Sequence, residues 1–293
     1  MSKVQRFGGT HTERKLEAVA SYLQSYVTVM KKQRFKLTYV DAFAGSGASQ
    51  ALQDREQSGD LLDIDVYDAA TIIEGSPIRA LGVEPPFDSY VFIDADLENV
   101  QSLQSIVDRH PNRRSRVLDG DANTHLASFA EFLNRGPLQR AVVFLDPFGL
   151  SVAWETVERL AATEKVDLWY LVPVLAMSRQ IRSDGTFLPS ARKIDEIWGS
   201  EDWRARAVQR AEPVEDLFGQ IDARFEKVAR AEQFSDMFRE RLSSVFKGGV
   251  AAHYLPLGRG RLHEFSLMFA CANPSPAAAG AALRIANHIL GNG

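Results

Sequence analysis

Apolar residues in this chain follow two patterns, one helical and one of short continuous runs. Near the amino terminus they recur every three or four residues, which predicts an amphipathic helix over residues 12–30 with Thr12 as its N-cap. Further along, short apolar runs end in polar turns that contain glycine or proline, as buried strands of a parallel sheet do. The predicted strands cover residues 39–41, 90–94, 116–118, 141–145 and 166–172.

The first of these strands leads into a loop with the spacing Asp-x-Phe-x-Gly-x-Gly, formed by Asp41, Phe43, Gly45 and Gly47. Glycine lets a backbone turn sharply and approach a ligand closely. In doubly wound sheets, nucleotide-like ligands bind at the carboxyl end of the first strand. The loop has neither the lysine of a P-loop nor the third glycine of the dinucleotide fingerprint. It resembles the first motif of S-adenosylmethionine (SAM)-dependent methyltransferases.

Three later strands also end at an acidic residue. Asp94 ends the second strand, where a carboxylate can accept hydrogen bonds from both ribose hydroxyls. Asp121, followed by Ala122, comes 27 residues later and suits an adenine amino group, and Asp146 follows after a further 25 residues. Singly, each acid is explained as well by the preference of Asp for loops. Together they predict a SAM site bound by Asp41, Phe43, Gly45, Gly47, Asp94, Asp121 and Ala122.

The interval between the first two acids is longer than this fold needs. Asp41 and Asp94 are 53 residues apart, whereas a plain nucleotide-binding unit separates its glycine loop from its ribose acid by about 20. The excess, residues 48–74, is polar and acidic, and we interpret it as a lid or substrate-side loop. A solvated loop without a role is the alternative. The crossover helix is predicted to start at Ser76 as N-cap, with Pro77 at its first position.

The remaining pattern divides the chain into three parts. Residues 1–177 form the SAM-binding core, and residues 178–247, rich in Arg and Glu at helical spacing, form a helical recognition insertion. Residues 248–293 return to the core with a hairpin, 251–257 and 262–271, and a closing helix, 277–290. The predicted fold class is α/β, a Rossmann-like seven-stranded methyltransferase sheet with a helical insertion before its final antiparallel hairpin.

Composition narrows the partners. The chain has 293 residues, 45% of them hydrophobic, and a net charge of −4, which argues against a wholly basic nucleic-acid-binding domain. Local basic clusters at 31–36, 113–116 and 259–261 could still contact phosphate, although a solvated face is the simpler interpretation. A single cysteine, Cys271, and scattered histidines predict no metal site. No apolar run approaches 18 residues, so we expect a cytoplasmic protein without membrane contact.

Most of residues 11–205 resemble one family, the three-Cys-motif partner proteins (TcmP) of bacteria and archaea. The similarity lies in His11-Thr12, residues 39–47, Gly75-Ser76-Pro77, residues 87–94, Asp119–Asn123, Phe144–Leu150 and Trp169–Leu171. The resemblance implies a SAM-dependent methyltransferase fold. It also implies a partner encoded beside it, a protein that carries a three-cysteine, radical-SAM-like motif.

A looser resemblance concerns the acceptor. Asp146-Pro147-Phe148-Gly149 is similar to the fourth-strand motif of tRNA guanine-N2 dimethyltransferases and, more distantly, to the Asp-Pro-Pro-Tyr loop of adenine-N6 methyltransferases. The long first insertion is similar to that of the J-type rRNA adenine-N6 enzymes. An Asp and a proline-fixed carbonyl can accept both hydrogens of an exocyclic amine, and an adjacent aromatic can stack on the base. The second proline and the tyrosine hydroxyl are absent here.

Three functions fit these observations. The first is N-methylation of an exocyclic amine of a nucleobase in RNA or DNA, with Asp146, Pro147 and Phe148 as the catalytic residues. The second is a non-catalytic or conditionally active partner of the three-cysteine protein, in which the helical insertion forms the docking surface. The third, a small-molecule or protein methyltransferase, keeps the cofactor site and changes only the acceptor.

Overall fold

The computed structural model of the protein describes residues 10–50, 72–210, 214–215, 221–222 and 225–291. Its helices are α1 (Thr10–Met30), α2 (Ser76–Leu81), α3 (Leu97–Asp108), α4 (Ala122–Asn134), α5 (Trp154–Ala162), α6 (Val174–Ser178), α7 (Arg192–Trp198), α8 (Trp203–Ala207), α9 (Ala231–Ser243) and α10 (Pro276–Gly291), with a 3₁₀ turn at Pro189–Ala191.

The strands alternate with these helices along most of the chain. They are β1 (Lys36–Asp41), β2 (Ala48–Gln50), β3 (Ile72–Glu74), β4 (Ser89–Asp94), β5 (Ser115–Asp119), β6 (Gln139–Leu145), β7 (Val166–Val172), β8 (Val208–Arg210), β9 (Val214–Glu215), β10 (Ile221–Asp222), β11 (Phe225–Lys227), β12 (Gly249–Val250), β13 (Leu255–Leu257) and β14 (Phe265–Cys271).

Within the described residues, the central sheet has eight strands in the order β12-β14-β7-β6-β1-β4-β5, with β13 also paired to β14. The five strands from β7 to β5 are parallel, and β14 is antiparallel to β7. The chain passes from β1 to β4 on one side and returns to β6 on the other, so the order reverses between β1 and β6. This topology confirms the predicted Rossmann-like sheet. β12 and β13 together occupy the edge position, so eight strands fill seven places.

Both faces of the sheet are covered by helices. Strand β7, Val-Asp-Leu-Trp-Tyr-Leu-Val, is buried at all seven positions, as a central parallel strand must be. On one face α1, α2, α3 and α10 pack against alternate strand residues such as Tyr39 and Trp169. On the other, α4, α5, α7 and α9 pack against residues such as Val143 and Tyr170.

Helix α1 is fixed to the sheet by a buried polar contact that the sequence pattern does not reveal. The Tyr22 hydroxyl donates to Asp167 Oδ2 at 2.6 Å, and both side chains are buried. The Tyr22 ring also lies 5.3 Å from Trp169 and 4.8 Å from Phe269, measured between ring centroids. Lys15 lies seven residues before Tyr22, about 10 Å nearer the amino end of the helix. Because Tyr22 is held at the start of β7, Lys15 lies toward the opposite, carboxyl edge of the sheet, where it contacts Asp146.

Segment 178–247 is joined to the core more closely than its predicted role as an insertion requires. It contains α7, α8 and α9, but also the antiparallel pairs β8–β11 and β9–β10. Buried side chains from it belong to the same hydrophobic core as sheet residues, among them Ile197, Trp198, Trp203, Phe234 and Phe238. The recognition role stays a prediction. The division of the chain at residues 178 and 247 also stays a prediction, while α9 covers one face of the sheet.

Two predicted helix starts also need correction. Helix α1 begins at Thr10, so Thr12 lies inside it. Helix α2 begins at Ser76 with Gly75 as N-cap, and the Ser76 side chain hydrogen-bonds Asp41 instead of capping the helix. The proposed lid lies mostly outside the described residues, and its ends pair as β2 and β3, with Ala48 opposite Glu74. Among the described residues, no helix is both long and apolar enough to cross a membrane.

Candidate functional site

The predicted acids meet at one edge of the sheet. Asp41 pairs in register with Phe92 and Phe144, and Asp94 pairs with Asp119, so β1, β4, β5 and β6 all end at a similar level. Asp146 directly follows β6, the strand beside β1 across the point where the strand order reverses. Ligands of open α/β sheets bind in the crevice at such a point. The structure therefore places Asp41, Asp94, Asp121 and Asp146 at the carboxyl edge of the sheet, at or just beyond the ends of neighbouring strands.

The glycine loop is tied to the strands on both sides. Ala42 N donates to Phe144 O at 3.1 Å, and Ala44 N donates to Ile93 O at 3.0 Å. Phe43 is half-buried and packs against the core. Gly45 N donates to Asp94 Oδ2 at 2.8 Å. These bonds hold the loop across the ends of β1, β4 and β6, where the cofactor was predicted.

Gly47 has a reason of its own to be glycine. Its φ is +76°, and a Cβ there would lie 2.3 Å from Ile106 Cδ1 on α3. The residue is therefore needed for close packing of the loop on α3. A bulky substitution at Gly47 would disturb that packing as well as any ligand. Gly45 also has a positive φ, +58°, so a side chain there would strain the backbone of the loop.

The Asp94 carboxylate is held by three donors. Gly45 N binds its Oδ2, while Asp96 N at 2.9 Å and Asn99 Nδ2 at 3.0 Å bind its Oδ1. The side chain is half-exposed at the strand end. Asp96, the other acid in this turn, is the N-cap of α3 and accepts from Glu98 N at 2.8 Å. Asp94 is thus the oriented carboxylate and Asp96 the structural one.

Asp121 has a structural role that was not predicted for it. It is the N-cap of α4, and its Oδ1 accepts from Thr124 N at 2.9 Å and from the Thr124 hydroxyl at 3.1 Å. Partial burial opposes ionisation, but these hydrogen bonds and those from Asn123 outweigh it and lower the pKa of Asp121. The side chain is exposed beside the buried Ala122. The pattern Asp-Ala-Asn-Thr before an apolar helix was the available signal for a cap.

Asp146 forms an ion pair with Lys15 of α1. The two side chains are 25% and 13% exposed, so the pair is largely shielded from solvent. Pro147 is buried, whereas Phe148 is 84% exposed, so this turn presents an aromatic ring to its surroundings. Gly149 has φ of +72° with open space where a Cβ would be, so here glycine serves the backbone conformation alone.

Asn123 fixes the segment that follows this turn. Its Oδ1 accepts from Ala153 N at 3.0 Å and from the Thr156 hydroxyl at 2.8 Å. Its Nδ2 donates to Ser151 O at 2.9 Å. One amide side chain on α4 therefore connects the third acid-bearing turn to the Asp146 turn.

Asp41 is fully buried, and its protonation is perturbed. Burial raises its pKa from 3.8 to about 7; a hydrogen bond with the Ser76 side chain opposes the shift, and the nearby charge of Asp146 adds to it. The Tyr39 hydroxyl lies 3.4 Å from Asp41 Oδ2. The corner thus combines a carboxyl group that titrates near neutral pH with a second carboxylate already paired to a cation.

Sequence reasoning missed three residues of this corner: Lys15, Ser76 and Asn123. Lys15 and Asp146 are separated by 131 positions. Nothing local in the sequence indicates that pairing, since it depends on where α1 crosses the sheet. Ser76 gave a signal, but it was interpreted as a helix cap. For Asn123 the available signal was its position two residues after Asp121, the N-cap of α4.

The sequence matches no protein-family model and no curated protein. Solved structures are similar at low identity. Protein LPL1258 from Legionella pneumophila, of the DUF519 family, is 12% identical, covering 98% of this chain and 94% of its own, with a TM-score of 0.49. The SAH-bound amino-terminal domain of EvdMO1 is 10% identical over 86% and 80% (TM-score 0.40), and Escherichia coli yhhF, a putative methyltransferase, is 15% identical over 72% and 86% (TM-score 0.32).

The fold is Rossmann-like, of the methyltransferase type. That statement rests on the strand order and on the antiparallel β14 beside β7. The likenesses to solved structures add nothing about substrate. The resemblance to the three-Cys-motif partner proteins stays a prediction.

Proposed function

We propose that this protein is a SAM-dependent methyltransferase that acts on an exocyclic amine of a nucleobase in RNA or DNA. The observation that carries the proposal is the Asp146 turn. It places a carboxylate, a buried proline and an 84% exposed phenylalanine in succession at the carboxyl end of β6, beside the glycine loop of β1.

The residues around the glycine loop fit the cofactor. Asp94 offers an oriented, half-exposed carboxylate for ribose hydroxyls, and Gly45 lies directly against it. Leu97, three residues beyond Asp94, is 64% exposed and provides an apolar surface on which an adenine ring can lie. Asp121 and Ala122 stand at the neighbouring strand end, at the side suited to the adenine edge. When bound here, SAM supplies an electrophilic methyl group.

The Asp146 turn fits a planar amine. Pro147 fixes the backbone, and Phe148 offers a ring for stacking on a base. The Asp146 carboxylate would accept a hydrogen bond from the amine and so orient its nitrogen for methylation. SAM would supply the methyl group, and Asp146 would accept the proton that the amine nitrogen releases.

The ion pair between Lys15 and Asp146 supports the alternative, in which the protein is a conditionally active partner module. Lys15 already binds the Asp146 carboxylate and so competes with an acceptor amine. A protein that binds α1 and withdraws Lys15 would free the carboxylate. The three-cysteine protein is the candidate partner, and under this alternative activity appears only in its presence.

The deciding experiment measures transfer of labelled methyl groups to RNA and DNA, with wild type, Asp146→Asn and Asp146→Ala. For an amine methyltransferase we expect SAM affinity to stay within a few-fold and turnover to fall by about 10²–10⁴, the usual range for a positioned acid–base group. Glu131→Gln, an exposed acid on α4, is the matched control. Asp146→Ala also leaves Lys15 unpaired, so the melting temperature must be followed alongside.

Three outcomes separate the functions. SAM binding without transfer to any nucleic acid, with or without the three-cysteine protein, would overturn the proposal. Transfer that requires that protein supports the conditional partner. Transfer to a small molecule or a protein, with none to nucleic acid, would overturn the nucleobase acceptor. It would support the third function, a small-molecule or protein methyltransferase with the same cofactor site.

A further inference from the structure

Two basic clusters, separated by 77 positions from Lys36 to Arg113, lie near each other at the amino edge of the sheet, opposite the candidate site. The first, residues 31–36, joins α1 to β1, and the second, 113–116, leads into β5. Strand β4 lies between β1 and β5. The starts of β1 and β5 are therefore two strand spacings, about 10 Å, apart.

The contacts of β4 hold the two clusters in place. Asp88, just before β4, accepts from Leu37 N at 2.7 Å and from Lys31 Nζ at 2.9 Å. Tyr90 N donates to Arg114 O at 2.9 Å. The loop before β4 also supplies Glu84, which forms an ion pair with Arg113.

The carboxylates near the two clusters already have partners. Asp88 pairs with Lys31, Glu84 pairs with Arg113, and Asp108 accepts from Gln104 Nε2 at 2.8 Å. Six exposed cations of this region have no carboxylate within 4.0 Å among the described residues, and we name them the basic edge: Lys32, Arg34, Lys36, Arg109, Arg114 and Arg116. Such a concentration of positive charge is notable in a chain with a net charge of −4.

The chemistry of this surface favours a polyanion over a folded acidic protein. Protein interfaces use arginine as well, but they depend on buried aromatic anchors beside it. The aromatic residue between the cations, Phe35, is half-buried, with the Arg140 guanidinium 4.2 Å from its ring centroid. The basic edge therefore offers dispersed charge, which suits the repeated phosphates of a nucleic acid backbone.

We infer that the basic edge binds the sugar-phosphate backbone of a nucleic acid. It lies about 20 Å from the candidate acceptor site, the length of a six-residue strand such as β1. Contacts there would position a nucleic acid without reading its sequence. The inference rests on the proposed function for its biological sense, but its test needs neither SAM nor turnover.

The test is fluorescence anisotropy with a labelled single-stranded RNA of about 20 nucleotides across a salt series. The variants are Arg114→Gln/Arg116→Gln and Lys32→Gln/Lys36→Gln. The control, Arg159→Gln/Arg206→Gln, also removes two positive charges. These two exposed arginines lie outside the basic edge and form ion pairs with Glu155 and Glu240. We expect each double substitution in the basic edge to weaken RNA binding about tenfold at 0.1 M salt. The slope of log K on log salt should become shallower by about 0.7 per lost phosphate contact.

Equal affinity of wild type and basic-edge variants would overturn this inference, as would an equal loss in the control. If wild type also methylates nucleic acid in that case, the proposed function stands without it. A wild type that binds SAM but no RNA or DNA would overturn both. Unchanged melting temperatures of the glutamine variants would show that lost affinity does not come from unfolding.

Discussion

Asp94 and Asp96 stand two residues apart in one turn, yet their carboxylates do different work. Asp94 is oriented by Gly45 N, Asp96 N and Asn99 Nδ2, whereas Asp96 caps α3. Only the first is hydrogen-bonded to the glycine loop. Individual residues at this site are therefore distinguished by their hydrogen-bond partners, which their residue type does not reveal.

That difference predicts opposite effects of two alanine substitutions. Asp94→Ala should weaken SAM binding about 100-fold or more, because it removes two charge-assisted hydrogen bonds worth about 1.5–3 kcal/mol each. Asp96→Ala should leave affinity nearly unchanged and lower the free energy of unfolding by about 1 kcal/mol, the typical cost of a lost N-cap. Calorimetric titration together with urea melts measures both. Unchanged affinity of Asp94→Ala would assign the ribose to another residue.

Asp41 predicts a pH dependence of stability. Its folded pKa is raised to about 7, first by burial and then by the charge of Asp146, so the folded protein holds this proton more tightly than the unfolded chain does. The resulting stabilisation is complete below pH 3.8 and is lost as pH rises through about 7. Asp41→Asn should remove this dependence, so its stability relative to wild type should improve between pH 4 and 8.

The matched control is Asp88→Asn, because its sign is opposite. Burial opposes ionisation of Asp88, but hydrogen bonds from Leu37 N and Lys31 outweigh it and lower its pKa. Its stabilisation is present above pH 3.8 and is lost as pH falls through the lower folded value. Asp88→Asn should therefore be less stable than wild type at pH 7. Parallel pH profiles for the two variants in thermal melts would show that at least one of the two assignments is wrong.

At the scale of elements, α9 is the helix whose position matters most for the interpretation of segment 178–247. Phe238 on α9 is fully buried, and its ring lies 5.5 Å from Tyr170 of β7, 5.6 Å from Trp198 of α7 and 6.1 Å from Trp154 of α5. Deleting the whole segment would expose this face of the sheet, so we expect the deleted protein to lose its fold.

A single substitution tests this placement. Phe238→Ala should lower the free energy of unfolding by about 3–5 kcal/mol, the range for a large aromatic removed from a core. Phe225→Ala, in the same segment but 52% exposed, should change it by at most about 0.5 kcal/mol. Denaturant unfolding measures both. If the two variants were equally stable, α9 would not belong to the core.

At the scale of the whole molecule, a cofactor bound at the crevice should stabilise the entire fold. The glycine loop is hydrogen-bonded to β4 and β6, so a ligand held there links the halves of the sheet on either side of β1. Binding to the folded state alone at 100 times Kd contributes about 2.7 kcal/mol. Stability measurements therefore report cofactor binding without any assumption about the acceptor.

The expected shift can be stated for thermal melts. SAM or SAH at saturating concentration should raise Tm by about 5 °C or more, since 1 kcal/mol corresponds to about 2–4 °C in domains of this size. NAD at equal concentration should have no effect, and Asp94→Ala should lose most of the shift. A wild type whose Tm responds to neither SAM nor SAH would contradict the cofactor assignment.

The sequence alone determined the fold class and the edge at which the acids lie. Short apolar runs ending in Asp41, Asp94 and Asp146 predict parallel strands, and the carboxyl ends of parallel strands necessarily meet. Short segments were sufficient for this, because a buried strand or a glycine loop can be recognised from a few consecutive residues. The helical pattern within residues 178–247 was also visible, but the place of α9 against the sheet was not.

Only the tertiary structure decided what surrounds each acid. Lys15 reaches Asp146 because Tyr22 and Asp167 fix α1 across the sheet, and Ser76 reaches Asp41 because α2 starts beside β1. The pKa of Asp41 depends on burial and on charges from separate elements, none of which is encoded near position 41. The physical reason is that burial and electrostatic interactions act through space, between residues that packing brings together.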